Sequence, residues 1–429
     1  MKKIIYPSIL NGSVISTTSK SAMQRACALA LIKKGTTTIY NIGQSNDDLA
    51  ALKIIEQLGA DIRYLSDKDI VVTSNGLTNT PQNINCVESG LSMRMFTNIL
   101  ALINEKITIT GEGSLLNRPM HFFSDILPKF GKTITTNNGY VPIEMSGTFT
   151  PTDIIIDGSL SSQYLTGLLI AFAAAQIRDK KIYVQNLQSK PYIDLTIEML
   201  AKFGYIINHL NYTIFQFIGL NDNFYNQTTY TVEGDWSGGA FLLAAAAINN
   251  PIEIIGLNLL SAQADRKILH VLELAGVDIV SDYEKKSIIV SLKNKLKPFN
   301  FDATDCPDLF PPIAVLASFC DGVSKIKGIN RLIHKESNRA LTIKEEFAKL
   351  GITIYLKFKK NTMFIHGKKS INPIKNIVSS RHDHRIAMAC AIVALNANKP
   401  ITIENADAVN KSYPNFFNDL EKLGVKMSD

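Results

Sequence analysis

Apolar positions along the 429 residues fall into two kinds of stretch that alternate at a fixed interval. One kind is apolar on nearly every side: residues 26–32, 95–102, 165–175, 241–248, 313–319 and 386–395. A helix without a polar face belongs inside its domain. The other kind is amphipathic, as at 49–57, and ends in an apolar residue followed by glycine. That ending recurs at Leu58-Gly59, Phe130-Gly131, Phe203-Gly204, Ala275-Gly276, Leu350-Gly351 and Leu423-Gly424, at glycine intervals of 72, 73, 72, 75 and 73. Glycine there suits the left-handed residue that stops a helix.

Between the two helices of each unit lies a short β-branched run, predicted as a strand: 36–40, 107–109, 181–184, 252–255, 323–326 and 401–403. Further extended runs, such as Asp278-Ile279-Val280, follow each glycine. The pattern predicts six repeats of helix, strand, helix and strands, three in each of two similar α/β domains.

Composition fits two domains, since single cores rarely grow past roughly 250–300 residues. Hydrophobic residues make up 46% of the chain and charged ones 19%, which argues against disorder. The longest apolar run, 165–175, is too short for a membrane span of ~20 residues. Pro7, Ser8 and Asn11 interrupt the apolar start before a signal peptide forms. Five scattered cysteines suggest neither disulfides nor a metal site, and a reducing cytoplasm is the expected location. The net charge of +7 comes without a Lys/Arg block or a basic stripe interleaved with aromatics. A diffuse positive balance suits small anionic partners as well as nucleic acid, so charge alone decides neither. Together with the motifs, the expectation is small anionic partners, no nucleic acid and no membrane.

Polar, helix-capping residues precede every apolar helix: Ser19-Lys20-Ser21, Glu88-Ser89-Gly90, Ser161-Ser162-Gln163, Asp235-Trp236-Ser237, Asp305-Cys306-Pro307-Asp308, and Arg381-His382-Asp383-His384-Arg385. Helix N-termini carry unsatisfied N–H donors and about half a positive charge. Three of them aimed at a shared cleft would attract phosphates and carboxylates. For any single loop, plain capping is the readier explanation, and repetition in six loops with Lys and Arg among them weakens it.

At these loops the chain resembles the 5-enolpyruvylshikimate-3-phosphate synthase family. The likeness is carried by Ser19-Lys20-Ser21-Ala22-Met23-Gln24-Arg25, Asn117-Arg118-Pro119, Ser161-Ser162-Gln163, Ser189-Lys190-Pro191-Tyr192, Val232-Glu233-Gly234-Asp235, Cys306-Pro307-Asp308, Lys335-Glu336-Ser337-Asn338-Arg339, Asp383-His384-Arg385 and Lys411-Ser412-Tyr413-Pro414. The resemblance implies a two-domain inverse α/β barrel with chain crossings near 17–19 and 232–234. Residues 18–232 would then form the N-terminal domain, on the shikimate 3-phosphate side. Residues 1–17 with 233–429 would form the C-terminal domain, carrying the catalytic carboxylates.

It also implies an activity: transfer of the enolpyruvyl group of phosphoenolpyruvate to the 5-hydroxyl of shikimate 3-phosphate, with release of phosphate. No metal and no organic cofactor is implied, and a monomer is expected. Asp308 would be the base for the attacking hydroxyl and Glu336 the proton donor and acceptor at C3, with Lys20 assisting. Lys20, Ser21, Arg25, Ser161, Ser162, Gln163, Ser189, Tyr192, Asp308 and Lys335 would hold shikimate 3-phosphate. Lys20, Gly90, Arg118, Gln163, Arg339, His384, Arg385 and Lys411 would hold phosphoenolpyruvate. Arginine suits such ligands because its planar fork binds carboxylate or phosphate bidentately. Cations from both domains would let shikimate 3-phosphate draw the domains together.

Plainer readings stand beside these. Asp308 after Pro307 would serve as a helix cap, and Lys335, Glu336 and Arg339 as ion pairs on a solvated helix face. Trp236 reads as core, Gly238-Gly239 as close helix packing, and His209, His270 and His366 as non-catalytic.

The chain departs from the family at Thr17-Thr18, where Pro-Gly is usual. It departs again at Glu88-Ser89-Gly90-Leu91 and Met95, where Asn-Ala-Gly-Thr and Pro are usual. A carboxylate at 88 would repel an anionic ligand unless it turns away or finds a cation, so altered binding of the family inhibitor glyphosate is expected. One rival is UDP-N-acetylglucosamine enolpyruvyl transferase. It generally carries Cys in the stretch equivalent to 111–117 and Asn after its first-loop Lys; this chain has no Cys there and has Ser21. The other is a non-catalytic homologue that binds shikimate 3-phosphate.

Overall fold

All six glycines that end the amphipathic stretches have positive φ, from 79° at Gly351 to 106° at Gly59. A side chain at such a backbone angle would be strained, so each glycine stops its helix and turns the chain into a strand. The computed structural model describes residues 1–224, 227–292 and 294–429.

Twelve α-helices occur among the described residues. Six are almost wholly buried: α1 (Lys20–Ile32), α3 (Gly90–Leu100), α5 (Ser162–Ala174), α7 (Trp236–Ile248), α9 (Phe310–Ser318) and α11 (His384–Ala394). The other six present an outer face: α2 (Asn46–Gln57), α4 (His121–Ile126), α6 (Lys190–Lys202), α8 (Ile268–Leu274), α10 (Arg339–Lys349) and α12 (Phe416–Lys422). Gly238 and Gly239 sit where α7 is crowded: an added Cβ would stand 3.1 Å from Thr17 and Tyr413, or 2.9 Å from Leu257.

Six four-stranded sheets share one strand order. In one of them, Asn83–Asn85 runs parallel to Ile107–Thr110, which pairs antiparallel with Tyr140–Ser146, itself antiparallel to Thr133–Asn137. The buried helix makes the crossover between the parallel strands, and the amphipathic helix leads into the outer hairpin. The alternating burial of these strands follows their period of two.

Contacts divide the chain into two compact units, Thr18–Val232 and Met1–Thr17 with Glu233–Asp429. Each closes on itself. In the first, Thr228–Thr231 returns to run parallel to Gly35–Tyr40. In the second, Lys2–Ile5 inserts between Ile401–Glu404 and Met427–Ser428, while Ser13–Ile15 pairs with Glu253–Ile255. These long-range strands tie the first seventeen residues to the C-terminal unit.

Five of the six buried helices begin at a side-chain cap: Ser19, Ser89, Ser161, Asp235 and Asp383. The α9 entry differs. A 3₁₀ turn, Pro307–Leu309, leads into it and no side chain caps it. Asp308 is thereby released for other contacts. Among the described residues no helix is long and apolar enough to cross a membrane.

Candidate active site

In the unit 18–232, the first turns of α1, α3 and α5 are joined through side chains. The Gln24 carboxamide oxygen accepts from the hydroxyls of Ser89 (2.9 Å) and Ser92 (3.0 Å). Arg94 donates to Gln163 Oε1 at 2.8 Å, linking α3 to α5. Arg25 reaches across to Thr166 of α5 and Thr196 of α6. The helix N-termini therefore converge, along with residues expected to bind anions.

Arg25 is buried, and among the described residues its hydrogen-bond partners are all neutral oxygens: Thr196 Oγ1 (2.9 Å), the Ser21 carbonyl (2.8 Å), Thr166 Oγ1 and the Tyr192 carbonyl (both 3.4 Å). Burial pulls its pKa down to about 10. A desolvated cation held only by dipoles strongly attracts an anion. Ser21 and Tyr192 frame the same guanidinium, and Ser189 stands at the entry to α6 with φ of 58°. Ser161 caps α5 by accepting from the Gln163 N–H, and Ser162 lies buried beside it.

Two more cations meet at Gly90. A Cβ there would stand 2.3 Å from Arg118 Nη1 and 3.1 Å from Arg94 Nη1, so the absent side chain makes room for both guanidiniums. Lys20, the first residue of α1, pairs with Asp47 at 2.7 Å. Beside Asp47, burial raises the Asp48 carboxyl to about 7 against the opposing hydrogen bond from Ser45 and the charge of Lys20. Glu88 turns its carboxylate to the Ser114 N–H at 3.0 Å, capping the turn Gly113–Asn117 that leads to Arg118.

The C-terminal unit holds a tighter network around Arg339, whose side chain is 0% exposed. Nε and Nη2 bind the two oxygens of Asp383 at 2.9 and 3.2 Å. Nη1 donates to Asp308 at 2.8 Å and Nη2 to Glu336 at 2.5 Å. Asp308 also meets Lys335 at 3.2 Å and Arg385 at 3.3 Å. Burial works to raise the Asp308 pKa, yet Arg385, Lys335 and Arg339 hold it well below the usual carboxylate range. At Lys335 burial wins instead, lowering the pKa to about 8 despite Asp308.

Asp308 is therefore an ion-pairing carboxylate rather than a cap. Lys335 and Glu336 lie in the turn before α10, not on a solvated helix face. His384 is buried beside Asp383, its Nδ1 4.0 Å from the carboxylate. Lys411 is buried at the end of the turn Ala406–Lys411, which packs against α11.

Three contributors have no assigned role in the sequence reading: Asp47, Arg94 and Asp383. An arginine at 94 within an apolar helix is itself a signal, because so buried a charge needs a reason. Asp383 stands in a quoted motif, but its long-range partner is invisible in sequence. His209 and His270 are exposed, and His366 packs on Tyr355 at the outer face of a sheet. Trp236 is buried, with its indole N–H on the Asn258 carbonyl. Among the described residues, no group of three or more His, Cys, Asp or Glu is placed to hold a metal ion.

Comparison with known proteins places the chain in one family. The EPSP synthase (3-phosphoshikimate 1-carboxyvinyltransferase) family profile matches residues 5–420. A 3-phosphoshikimate 1-carboxyvinyltransferase of Clostridium kluyveri is 34% identical over 425 residues, covering 99% of this chain and 98% of the relative. One from Methanosarcina mazei is 34% identical over 433 residues, covering 100% and 99%. Among solved structures, EPSP synthase of Acinetobacter baumannii superimposes with a TM-score of 0.79 at 24% identity, with 100% of both chains covered. The enolpyruvyl transferase NikO of Streptomyces tendae gives 0.78 at 17% identity, covering 100% of this chain and 98% of the other. These two likenesses establish a mixed α/β fold of the enolpyruvyl transferase type, and the full-length sequence match goes further: the chain belongs to the EPSP synthase (3-phosphoshikimate 1-carboxyvinyltransferase) family.

Proposed function

We propose that this protein transfers the enolpyruvyl group of phosphoenolpyruvate to the 5-hydroxyl of shikimate 3-phosphate by addition and elimination, releasing inorganic phosphate. Family membership over the full length supports the reaction, which supplies aromatic amino-acid and chorismate biosynthesis. The observation that carries it is the contact of Asp308 and Glu336 with one buried cation, Arg339.

The chemistry needs a base at the attacking hydroxyl and a proton for C3 of the enol. Asp308 takes the hydroxyl proton as oxygen bonds to C2, and Glu336 delivers a proton to C3 with Lys20 assisting. In the second step C3 returns its proton, the C2–O bond to phosphate breaks, and the enol ether forms. Asp308 starts as a weak base because three cations surround it. Anionic substrates compete for those same cations. As Arg339 and Arg385 turn to phosphoenolpyruvate, Asp308 loses counter-charge and its basicity rises. The site thus couples substrate binding to activation of its base.

Arg25, Ser21, Ser161, Ser162, Gln163, Ser189, Tyr192 and Lys335 are proposed to hold shikimate 3-phosphate, with Lys20 and Asp308 beside its reacting end. The buried Arg25, with its neutral partners, suits the phosphate. Gly90, Arg118, Gln163, Arg339, His384, Arg385, Lys411 and Lys20 are proposed for phosphoenolpyruvate. The enzyme is proposed to act in the cytoplasm as a monomer.

The test is phosphate release from purified protein given phosphoenolpyruvate with and without shikimate 3-phosphate. Release that requires both substrates and vanishes in Asp308→Ala and Glu336→Gln is expected. Binding of shikimate 3-phosphate without release would sink the assignment in favour of a binding protein.

A further inference from the structure

On the sheet formed by Asn300–Asp302, Val323–Lys327, Thr353–Lys357 and Thr362–His366, strand register sets two rows of side chains on the solvent face. One row reads Asn300, Lys325, Phe364, Tyr355, and the next Asp302, Lys327, Thr362, Lys357. Alternate residues of the two central strands, Ser324, Ile326, Met363 and Ile365, point inward and are buried. Lys360, in the turn joining the outer hairpin, stands at the same end. The two rows without Tyr355, together with Phe301 and Lys360, line a surface cavity of about 510 Å³.

Four lysines share this cavity with a single carboxylate. Lys327 pairs with Asp302 at 3.0 Å, whereas Lys325, Lys357 and Lys360 have no ion pair among the described residues. Adjacent strands lie ~4.8 Å apart, so Lys327 and Lys357 flank Thr362 at roughly 10 Å from each other, and Lys325 stands about 7 Å along the strand. Like charges so placed repel, and a bound polyanion relieves the repulsion. Lys357 Nζ also lies over the half-buried Phe364 ring, 5.0 Å from its centroid, a cation–π contact that a stacked aromatic ring would replace as the ammonium turns to phosphate.

The ligand this grid fits has a flat ring and several negative charges, separated by about one row of the sheet. Lysine ammoniums suit phosphate as point charges, and three unpaired ones exceed the need of a monocarboxylate. The Asn300 amide and Thr362 hydroxyl offer hydrogen bonds to sugar hydroxyls between ring and phosphates. The volume lies within the range of small-molecule sites. We propose that this sheet face binds a nucleoside triphosphate, with the base stacked on Phe364 and the phosphates held by Lys325, Lys327, Lys357 and Lys360. The site uses none of the residues assigned to enolpyruvyl transfer, so it stands independently of that reading.

Isothermal titration of the full-length protein tests it, with ATP, inorganic tripolyphosphate, adenosine and a single-stranded oligonucleotide as probes. ATP is expected to bind at least about tenfold more tightly than tripolyphosphate, because the ring adds stacking to charge. The double exchange Lys325→Glu with Lys357→Glu should weaken ATP by about a hundredfold through reversed charge. Transferase activity and melting temperature should stay unchanged. Phe364→Leu should weaken ATP while leaving tripolyphosphate alone. Equal affinity for ATP and tripolyphosphate, no effect of the lysine exchange, or no ATP binding at millimolar concentration would each overturn the proposal. So would an oligonucleotide that binds more tightly than ATP, which would mark a nucleic-acid surface instead.

Discussion

Arg339 and Asp383 form a two-pronged ion pair in which neither side chain is exposed to solvent, with Nε 2.9 Å from Oδ2. Asp383 also caps α11 by accepting from the Arg385 N–H at 3.0 Å and accepts from the Ser337 hydroxyl at 3.2 Å. One carboxylate therefore sets the guanidinium of Arg339, the entry to the helix bearing Arg385, and the turn that carries Glu336.

Asp383→Asn should accordingly injure both stability and turnover. Removing one partner of a buried pair costs about 3 kcal/mol or more, reduced where the survivor keeps other partners, as Arg339 does. The expected loss is near the lower figure in urea unfolding, with kcat/KM down by about a hundredfold as the reacting groups lose their alignment. Wild-type kinetics in this variant would show that Asp383 does not position the site.

Arg25 makes the opposite trade. A buried guanidinium with neutral partners is a strain on the fold that an anion relieves. Arg25→Met should raise or leave unchanged the melting temperature, while weakening shikimate 3-phosphate by about a hundredfold or more, as expected for loss of a buried charge-assisted contact. Calorimetry on the same preparation reads both. Intact affinity would move the phosphate elsewhere.

Gly90→Ala probes the second group of cations. The new methyl would press on the guanidinium ends of Arg118 and Arg94, both within 3.1 Å of its position. These are the far ends of long side chains and not backbone, so the fold should tolerate it. The KM for phosphoenolpyruvate should rise by about tenfold with that for shikimate 3-phosphate little changed, because a displaced guanidinium loses bidentate geometry. An equal rise in both would instead indicate general disturbance.

Asp48 makes stability depend on pH in a definite direction. Its folded pKa is about 7, above the ordinary 3.8, chiefly because burial disfavours the charge. A raised carboxyl contributes its stability fully below pH 4 and loses it as pH climbs through 7. Asp48→Asn removes the charge while keeping an acceptor for the Ser45 N–H. The variant should melt higher relative to wild type at pH 8 than at pH 5, by on the order of a few kcal/mol in unfolding free energy. A difference independent of pH would mean that Asp48 does not titrate in this window.

Local physics made much of the fold legible. Burial of apolar helices, glycine at helix ends and Ser or Asp at helix starts act within a few residues, so the six-fold repeat could be read directly. Position 308 marks the limit. A Pro-Asp pair before an apolar helix looks like a cap, and only the 3₁₀ turn Pro307–Leu309 shows that the carboxylate faces Arg339, 31 residues away. Glu88 is similar: its effect depends on the Ser114 N–H, 26 residues on.

By itself, then, the sequence determined the repeat, the two α/β halves, the caps at five of the six buried helix starts and, through its motifs, the family, since each rests on short-range preference or residue identity. Tertiary structure alone decided which charges meet. Asp383 and Arg339 are 44 residues apart, Arg25 and Thr196 are 171 apart, and the lysines around Phe364 come from separate strands. Electrostatic partners are chosen by distance in space, and that distance exists only once the apolar helices have packed.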